Sequence, residues 1–392
     1  MDFDLNDDQL LLSRSVERFL GENYSFEKRR RYLAEGPGWS REIWAQFAQL
    51  GVLGLPFDEA DGGFGGDPAS LMLVMEAFGR ELVMEPFLTS VVLAGTALRS
   101  AGSKDQRSDL LPAVAQGNTI LAWAHAEPGA RHETQAVSAC AKRKNGQWTI
   151  CGIKILVLQG DSADVFVVSA RVDGGDNDPD GIGLFLVDAT ARGVTRRAVK
   201  LSDDTRTAEI RFSDAAAEPL GTAAEGADII ERVTEAGIIA TAAEAVGVME
   251  KAHALTLSYL KSRQQFGKPI GSNQVLQHRA AEMLVALEQS RSMAMLATIA
   301  SSQEDRAERR RELARVKAII GRNGRFVGQQ AVQLHGAMGM TEEYPVGHYF
   351  RRLTVLDQMF GDSSHHLASL GRRWLEPAAQ HVEGSPPARD GL

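Results

Sequence analysis

The stretch from Asp228 to Arg263, "DIIERVTEAGIIATAAEAVGVMEKAHALTLSYLKSR", contains no proline and few β-branched interruptions. At 1.5 Å per residue it is long enough for one helix of roughly 50 Å. Small residues recur on several of its faces, so neighbouring helices must pack closely against it. A second long helix is predicted across "QVLQHRAAEMLVALEQSRSMAMLATIASS". The charge run "EDRAERRRE" then separates it from "LARVKAIIGRNGRFVGQQAVQLHG" and reads as a solvated turn and helix start, not a binding patch. Residues 223–382 are therefore expected to form a C-terminal helical bundle. The last ten residues, 383–392, have the composition of a flexible tail.

The N-terminal part is also helical. Apolar residues recur at three and four spacing in "QLLLSRSVERFLGENY" and "SREIWAQFAQLGVLGL", where Ser40 is placed to cap a helix closed by Gly51. The glycine-rich "DEADGGFGGD" turns the chain before "PASLMLVMEAFGREL" resumes the helix. Between these helical parts the period changes. The runs "NTILAWAHA", "GQWTICGIKILVL", "DVFVVSAR", "IGLFLVDA" and "AEIRFS" alternate as short strands with Gly, Asp and Asn turns. The acidic insert "DGGDNDPDG" lacks the closing glutamate of a calcium loop and reads as a hairpin turn. The expected class is an α+β multidomain chain: a helical domain over 1–118, an antiparallel β domain over 119–222, and the bundle.

Composition excludes several functions. The net charge of −8 and pI near 5.7 oppose a nucleic-acid surface, which needs clustered Lys and Arg. Cys140 and Cys151 are the only cysteines, too few for a disulfide framework or a metal cluster. The acidic start "MDFDLNDDQL" has no apolar core of a signal peptide, and no 18-residue apolar run occurs, so a cytoplasmic protein outside the membrane is expected.

Two short motifs lie in the bundle: "RQQFGKPIGSNQ", from Arg263 to Gln274, and "QLHGAMGMTEEYP", from Gln333 to Pro345. Arg263 offers a planar fork of donors suited to pyrophosphate oxygens, and Phe266 an aromatic face for an adenine. Gly267 and Pro269 shape the turn that presents them. Gln333 can supply amide contacts, while Gly336 and Gly339 permit backbone N–H groups to approach a ligand closely. Together these motifs resemble the flavin-adenine signatures of the acyl-CoA dehydrogenase family, and the resemblance extends over the three-part domain order and "DGGFGG". It implies the acyl-CoA dehydrogenase fold, a four-helix C-terminal bundle, FAD as cofactor held through Arg263, Phe266, Gln274, Gln333, Gly336 and Gly339, an acyl-CoA substrate, and an electron-transfer flavoprotein as acceptor. In this family the ADP half of each FAD is bound by the subunit next to the one that holds the flavin ring.

The ring half departs from the family pattern. Where members carry Thr or Ser before Glu-Pro-Gly and then Gly-Ser-Asp, this chain has "AHAEPGARHE", with Ala126 in place of the hydroxyl. The family's K-x-W-I-T-N segment reads "KILVLQ", so Leu156 stands for the tryptophan, Leu158 for the threonine and Gln159 for the asparagine. The family's glutamate base, nine residues after an arginine, falls on Gly361 when counted from Arg352, with Phe360 before it and Asp362 after. Its second known location falls on Gly237; Glu235 lies two residues away on another helix face and Glu244 seven residues on. Asp362 is the remaining candidate base, or else the cap of the helix through "SSHHLASLGRRW". His365 and His366 are adjacent and point about 100° apart on a helix, so no metal site is expected.

The resemblance is nearest to the small subunit of the pimeloyl-CoA dehydrogenase type, on "YLKSRQQFGKPIGSNQVLQHR", "LEQSRSMAMLA" and "GRFVGQQAVQLHGAMGMTEEYPVGHYFRRL". It implies a subunit of an α₂β₂ acyl-CoA dehydrogenase that supplies the ADP half of the FAD site to a paralogous partner bearing the glutamate. Two alternatives stay open: a self-sufficient homo-oligomer using Asp362, and a scaffold without flavin contact.

Overall fold

The computed structural model describes residues 5–380 apart from 179, 223 and 266, with backbone alone for 373–380. Phe266 and the tail at 383–392 thus lie outside the described residues. Among the described residues six α-helices precede the sheet: α1 (Asp7–Asn23), α2 (Phe26–Ala34), α3 (Arg41–Gln49), α4 (Pro68–Glu81), α5 (Gly95–Ala101) and α6 (Lys104–Ala115). Ser40 caps α3 by accepting from Ile43 N, and Gly51 follows it at φ +75°. Asp67 caps α4 ahead of Pro68, whose missing N–H costs nothing at a first helical position.

Seven strands form one sheet: β1 (Leu121–Ala124), β2 (Cys140–Lys144), β3 (Gln147–Leu158), β4 (Val165–Arg171), β5 (Ile182–Asp188), β6 (Val194–Lys200) and β7 (Arg206–Pro219). Pairing is antiparallel for β2–β3, β3–β7, β4–β5, β5–β7 and β6–β7, but β4 is flanked by two parallel neighbours, β1 and β2, so the domain is not the purely antiparallel one expected. The acidic insert does join β4 to β5, and its carbonyls are satisfied by a cation of the protein itself. Arg171 donates to the backbone oxygens of Gln135, Val137, Asp176, Asp178 and Asp180 at 2.7–3.2 Å.

The C-terminal part consists of α7 (Gly226–Ser262), α8 (Gln274–Ala300), α9 (Arg306–His335), α10 (Val346–Gln358) and α11 (Ser363–Gln380). The helix α7 runs unbroken and packs on α4, α8, α9 and α10. Glycine makes the α4 contact possible: a Cβ on Gly79 would lie 2.1 Å from Glu244 O, and one on Gly247 1.9 Å from Glu76 O. The two backbones therefore touch, and α7 joins the N-terminal core to the bundle. Among the described residues no helix is long and apolar enough to cross a membrane.

Candidate active site

Two of the hollows beside α7 are lined by residues that the sequence motifs single out. The smaller, about 260 Å³, lies at its C-terminal end between Tyr259, Arg263, Gln333, His335 and Gly336. The chain leaves α7 at Arg263 in extended conformation and reverses through a two-residue bridge in which Gln264 pairs with Pro269 and Gln265 with Lys268, with Gly267 at φ +75°. That reversal leaves the Arg263 guanidinium exposed on the hollow, and among the described residues it makes no ion pair or hydrogen bond. Gly336 has φ +61° and open space where a Cβ would be, as a surface for close approach requires. Gly339 is glycine for another reason: a Cβ there would meet Val332 O at 2.7 Å. Gln274 stands exposed at the first position of α8, outside the hollow's lining. The floor is aromatic. Tyr259 and His335 rings lie 4.5 Å apart at 30°. His335 donates from Nδ1 to Ala331 O at 2.7 Å, so Nε2 accepts from the Tyr344 hydroxyl at 3.3 Å; burial keeps the ring neutral.

The larger cavity, about 890 Å³, lies between the sheet and the bundle. Ala126, Leu156 and Leu158 form its sheet-side wall, and Ile238, Phe360 and Gly361 part of its helical wall. One buried ion pair fixes the sheet side. Lys154 Nζ donates to Glu127 Oε1 at 2.6 Å, to His125 O at 3.1 Å and to Ser169 Oγ at 2.9 Å. Glu127 accepts in addition from the Ser138 hydroxyl and from the backbone N–H of Ser138 and Ala139. These bonds to its charged form, led by Lys154 and set against the cost of burial, hold its carboxyl below the usual range. The pair thus pins the loop bearing Ala126 to β3, with Ile155 N donating to Ala126 O at 2.8 Å. Leu156, at φ +53°, is 56% exposed and faces the cavity. Gln159 turns the other way, is buried, and donates to Met84 O at 3.3 Å.

On the helical side each of the two glycines lies against a ring, Gly237 against Phe360 and Gly361 against the His365 and His366 imidazoles. Phe360, at φ +58°, lies against Gly237, where a Cβ would come 2.5 Å from its Cζ; Gly361 follows at φ +91°. Asp362 accepts from His365 N at 2.7 Å as the cap of α11, and its Oδ2 lies 3.8 Å from His132 Nε2. The cap bond, followed by nearby His132, holds its carboxyl below the usual range. Glu244 is engaged by Arg352, Nε to Oε1 at 2.6 Å and Nη2 to Oε2 at 2.9 Å, while Arg352 also reaches Asp203 and Thr205. One carboxylate missed as a cavity residue by the helical-face argument lines the wall: Glu235. Its Oε2 accepts from Arg309 Nε at 2.8 Å, its Oε1 is buried without a partner, and burial raises its pKa. Among the described residues no group of three metal-ligating side chains occurs.

Most of the chain matches family models in sequence: "Acyl-CoA dehydrogenase, N-terminal domain" over residues 6–118, "Acyl-CoA dehydrogenase, middle domain" over 122–215 and "Acyl-CoA dehydrogenase, C-terminal domain" over 224–375. The chain belongs to the acyl-CoA dehydrogenase family. Members are FAD-dependent oxidoreductases, and the small hollow suits a nucleotide cofactor, with a free guanidinium, an aromatic floor and a glycine open to close approach. A short-chain-specific acyl-CoA dehydrogenase of Clostridium acetobutylicum is 28% identical, with 93% of this chain and 97% of that one covered. Among solved structures, the Tcur3481-Tcur3483 steroid ACAD is 27% identical over 95% of this chain and 99% of that chain, with a TM-score of 0.85. The ChsE4-ChsE5 complex from Mycobacterium tuberculosis shares the fold, at 24% identity and a TM-score of 0.85 over 99% and 100% of the two chains.

Proposed function

We propose that this acyl-CoA dehydrogenase chain is the non-catalytic subunit of a heteromeric enzyme, of the pimeloyl-CoA dehydrogenase small-subunit type, and completes the FAD site of a glutamate-bearing partner. The observation that carries this reading is the contrast between its two hollows. Arg263 is uncommitted beside Gln333 and Gly336, whereas both positions for the base are glycines and the Phe360 ring fills the space over one of them. Arg263, Gln333 and Gly336 would hold the ADP half of FAD. The bound cofactor supplies hydride acceptance for α,β-dehydrogenation of an acyl-CoA thioester, with electron-transfer flavoprotein taking the electrons onward. Phe266 and Gln274 belong to the same sequence motif as Arg263 and are proposed to contribute to the same cofactor half. The likeness to a two-named steroid ACAD supports a bulky acyl group as the partner's substrate. A cytoplasmic location goes with this proposal.

The test is flavin stoichiometry with assembled mass. Flavin near zero for the chain alone, rising to one per pair on co-expression with a glutamate-bearing paralogue and falling in Arg263→Ala, is the expected result. Unchanged flavin in Arg263→Ala would remove the ADP-half assignment.

A second reading, a self-sufficient homo-oligomer, is favoured by one observation: the unpartnered Glu235 Oε1 in the cavity wall, on a carboxyl whose pKa is raised. Asp362, the other candidate base, is held ionised by its cap bond and is the weaker one. One flavin per chain with turnover abolished by Glu235→Gln would establish that reading.

A further inference from the structure

The two cysteines of the 392-residue chain stand opposite each other in the sheet: Cys140 on β2 is the register partner of Cys151 on β3. Directly opposed residues present their side chains to the same face. Both thiols are free and partly exposed, and they are close enough for Cys140 to influence Cys151 electrostatically. The register between the strands is unbroken from Lys144↔Gln147 to Cys140↔Cys151.

The turn sets the type of pair. Asn145 and Gly146, at φ +52° and +86°, make a two-residue hairpin loop, so Lys144↔Gln147 is a hydrogen-bonded pair and, by alternation, so is Cys140↔Cys151. Cα atoms in such a pair lie about 5.5 Å apart, within the span a disulfide bridges. The Cβ atoms must still draw together by roughly 1 Å, so the closed bond is a readily reduced one. The strands already approach closely beside the pair, because Gly152 has no side chain: a Cβ there would lie 2.4 Å from Ala139 Cβ.

We propose that Cys140 and Cys151 are a reversible oxidation site that closes to a disulfide when the chain meets hydrogen peroxide. Cys151 Sγ donates to Asp214 Oδ1 at 3.1 Å, and burial together with that carboxylate keeps the thiol protonated. Oxidation therefore begins at Cys140. Its sulfur attacks one peroxide oxygen, the O–O bond breaks, and a sulfenic acid and one water result. Cys151 sulfur then attacks the Cys140 sulfur while Asp214 stands ready to take its proton; the S–O bond breaks and the hydroxyl leaves as a second water. Two thiols and one peroxide give one disulfide and two waters, with two electrons passing from sulfur to peroxide.

The site reaches the cavity through two short paths. Ser138 and Ala139, whose N–H groups hold Glu127, immediately precede Cys140, and Lys154 follows Cys151 by three residues on β3. Closing the bridge tightens the frame that positions Ala126 and Leu156.

The experiment treats the full chain with hydrogen peroxide and maps its peptides without reduction. The expected product is a single intrachain link between Cys140 and Cys151 that dithiothreitol reverses. Cys140→Ser should leave Cys151 largely unreacted, and Cys151→Ser should leave a Cys140 sulfenic acid that dimedone traps. Persistence of both thiols under peroxide that oxidises an unfolded control, links only between chains, or over-oxidation without a link would each overturn the proposal. Hydrogen exchange at Ser138 and Ala139 should slow in the oxidised form; equal exchange in both forms would overturn the connection to the cavity.

Discussion

The Phe360 ring rests on Gly237, so close that a methyl group on that glycine would sit 2.5 Å from the ring carbon Cζ. The two positions that the family resemblance aligns with its base, Gly361 and Gly237, are far apart in sequence, yet the ring of Phe360, the residue before Gly361, packs on Gly237. The pair makes a measurable cycle. Gly237→Ala should destabilise the chain by about 1–3 kcal/mol through overpacking. In a Phe360→Ala background the same change should be neutral or stabilising, because helix propensity favours alanine over glycine by about 1 kcal/mol. Urea unfolding of the four proteins reads the coupling; additivity would show that the ring does not fill this space in solution.

Stability should fall in mild acid because two half-buried histidines that line the large cavity are held in neutral form. Burial, then Lys154, pushes the His125 pKa down to about 3, and burial pushes that of His366 to about 4. Ser169 Oγ already accepts from Lys154, so its proton goes to His125 Nδ1 at 2.9 Å, which requires an unprotonated nitrogen. The unfolded chain takes up these protons near pH 6.5, the folded chain only well below, so stability rises with pH across that window and is lost as pH falls from about 6.5. Each histidine should cost on the order of 2 kcal/mol at pH 5. Denaturation at pH 4.5 to 8 should show a slope reduced by about one proton in each of His125→Asn and His366→Gln; unchanged slopes would mean that these rings are protonated when folded.

Arg171 gathers the carbonyls of the loop between β4 and β5 around its own guanidinium. Its five bonds to backbone oxygens tie that loop to residues 135–137, which continue into the cavity wall. A lysine has three donors and no planar fork, so Arg171→Lys should leave at least two carbonyls unsatisfied and cost about 2–4 kcal/mol. Thermal unfolding with and without calcium checks both halves of the argument: the variant should melt earlier, and calcium should raise neither midpoint.

The architecture was legible where chemistry is local. The apolar, proline-free run at Asp228–Arg263 marks a helix that the structure places at Gly226–Ser262, and the charge run correctly marks the start of α9 at Arg306. Strands β2 and β6, "CAKRK" and "VTRRAVK", escaped notice because their charged side chains face solvent and break the apolar alternation on which strand reading depends. Arg263, Gln333 and Gly336, proposed to hold the nucleotide, could be picked out because they lie in two short motifs, which the structure brings together around one hollow. The Glu127–Lys154 pair was not, since nothing in either local stretch signals a bond between them. Glu235 escaped because a helical-face argument compares it with Gly237 alone, whereas the cavity wraps around α7 and touches Glu235 and Ile238 as well.

On the proposed non-catalytic reading, a glutamate placed at Gly361, the position the resemblance aligns with the family's base, should not create a working site. Gly361 stands at φ +91°, a conformation that costs a non-glycine residue about 1–3 kcal/mol. A Cβ there would meet His366 Nε2 at 2.7 Å and His365 Cδ2 at 2.9 Å, and His366 is itself held by its bond to Phe360 O at 2.9 Å. The first turn of α11 has therefore settled into the volume that a side chain at this position needs. Gly361→Glu, assembled with a partner whose own glutamate is changed to glutamine, should lower the melting temperature and give no dehydrogenation with an artificial electron acceptor. Adding His366→Ala should recover part of the lost stability by opening that volume. Turnover in Gly361→Glu alone would mean instead that the chain is one substitution from activity, and that the packing of Phe360 and His366 yields readily to a carboxylate.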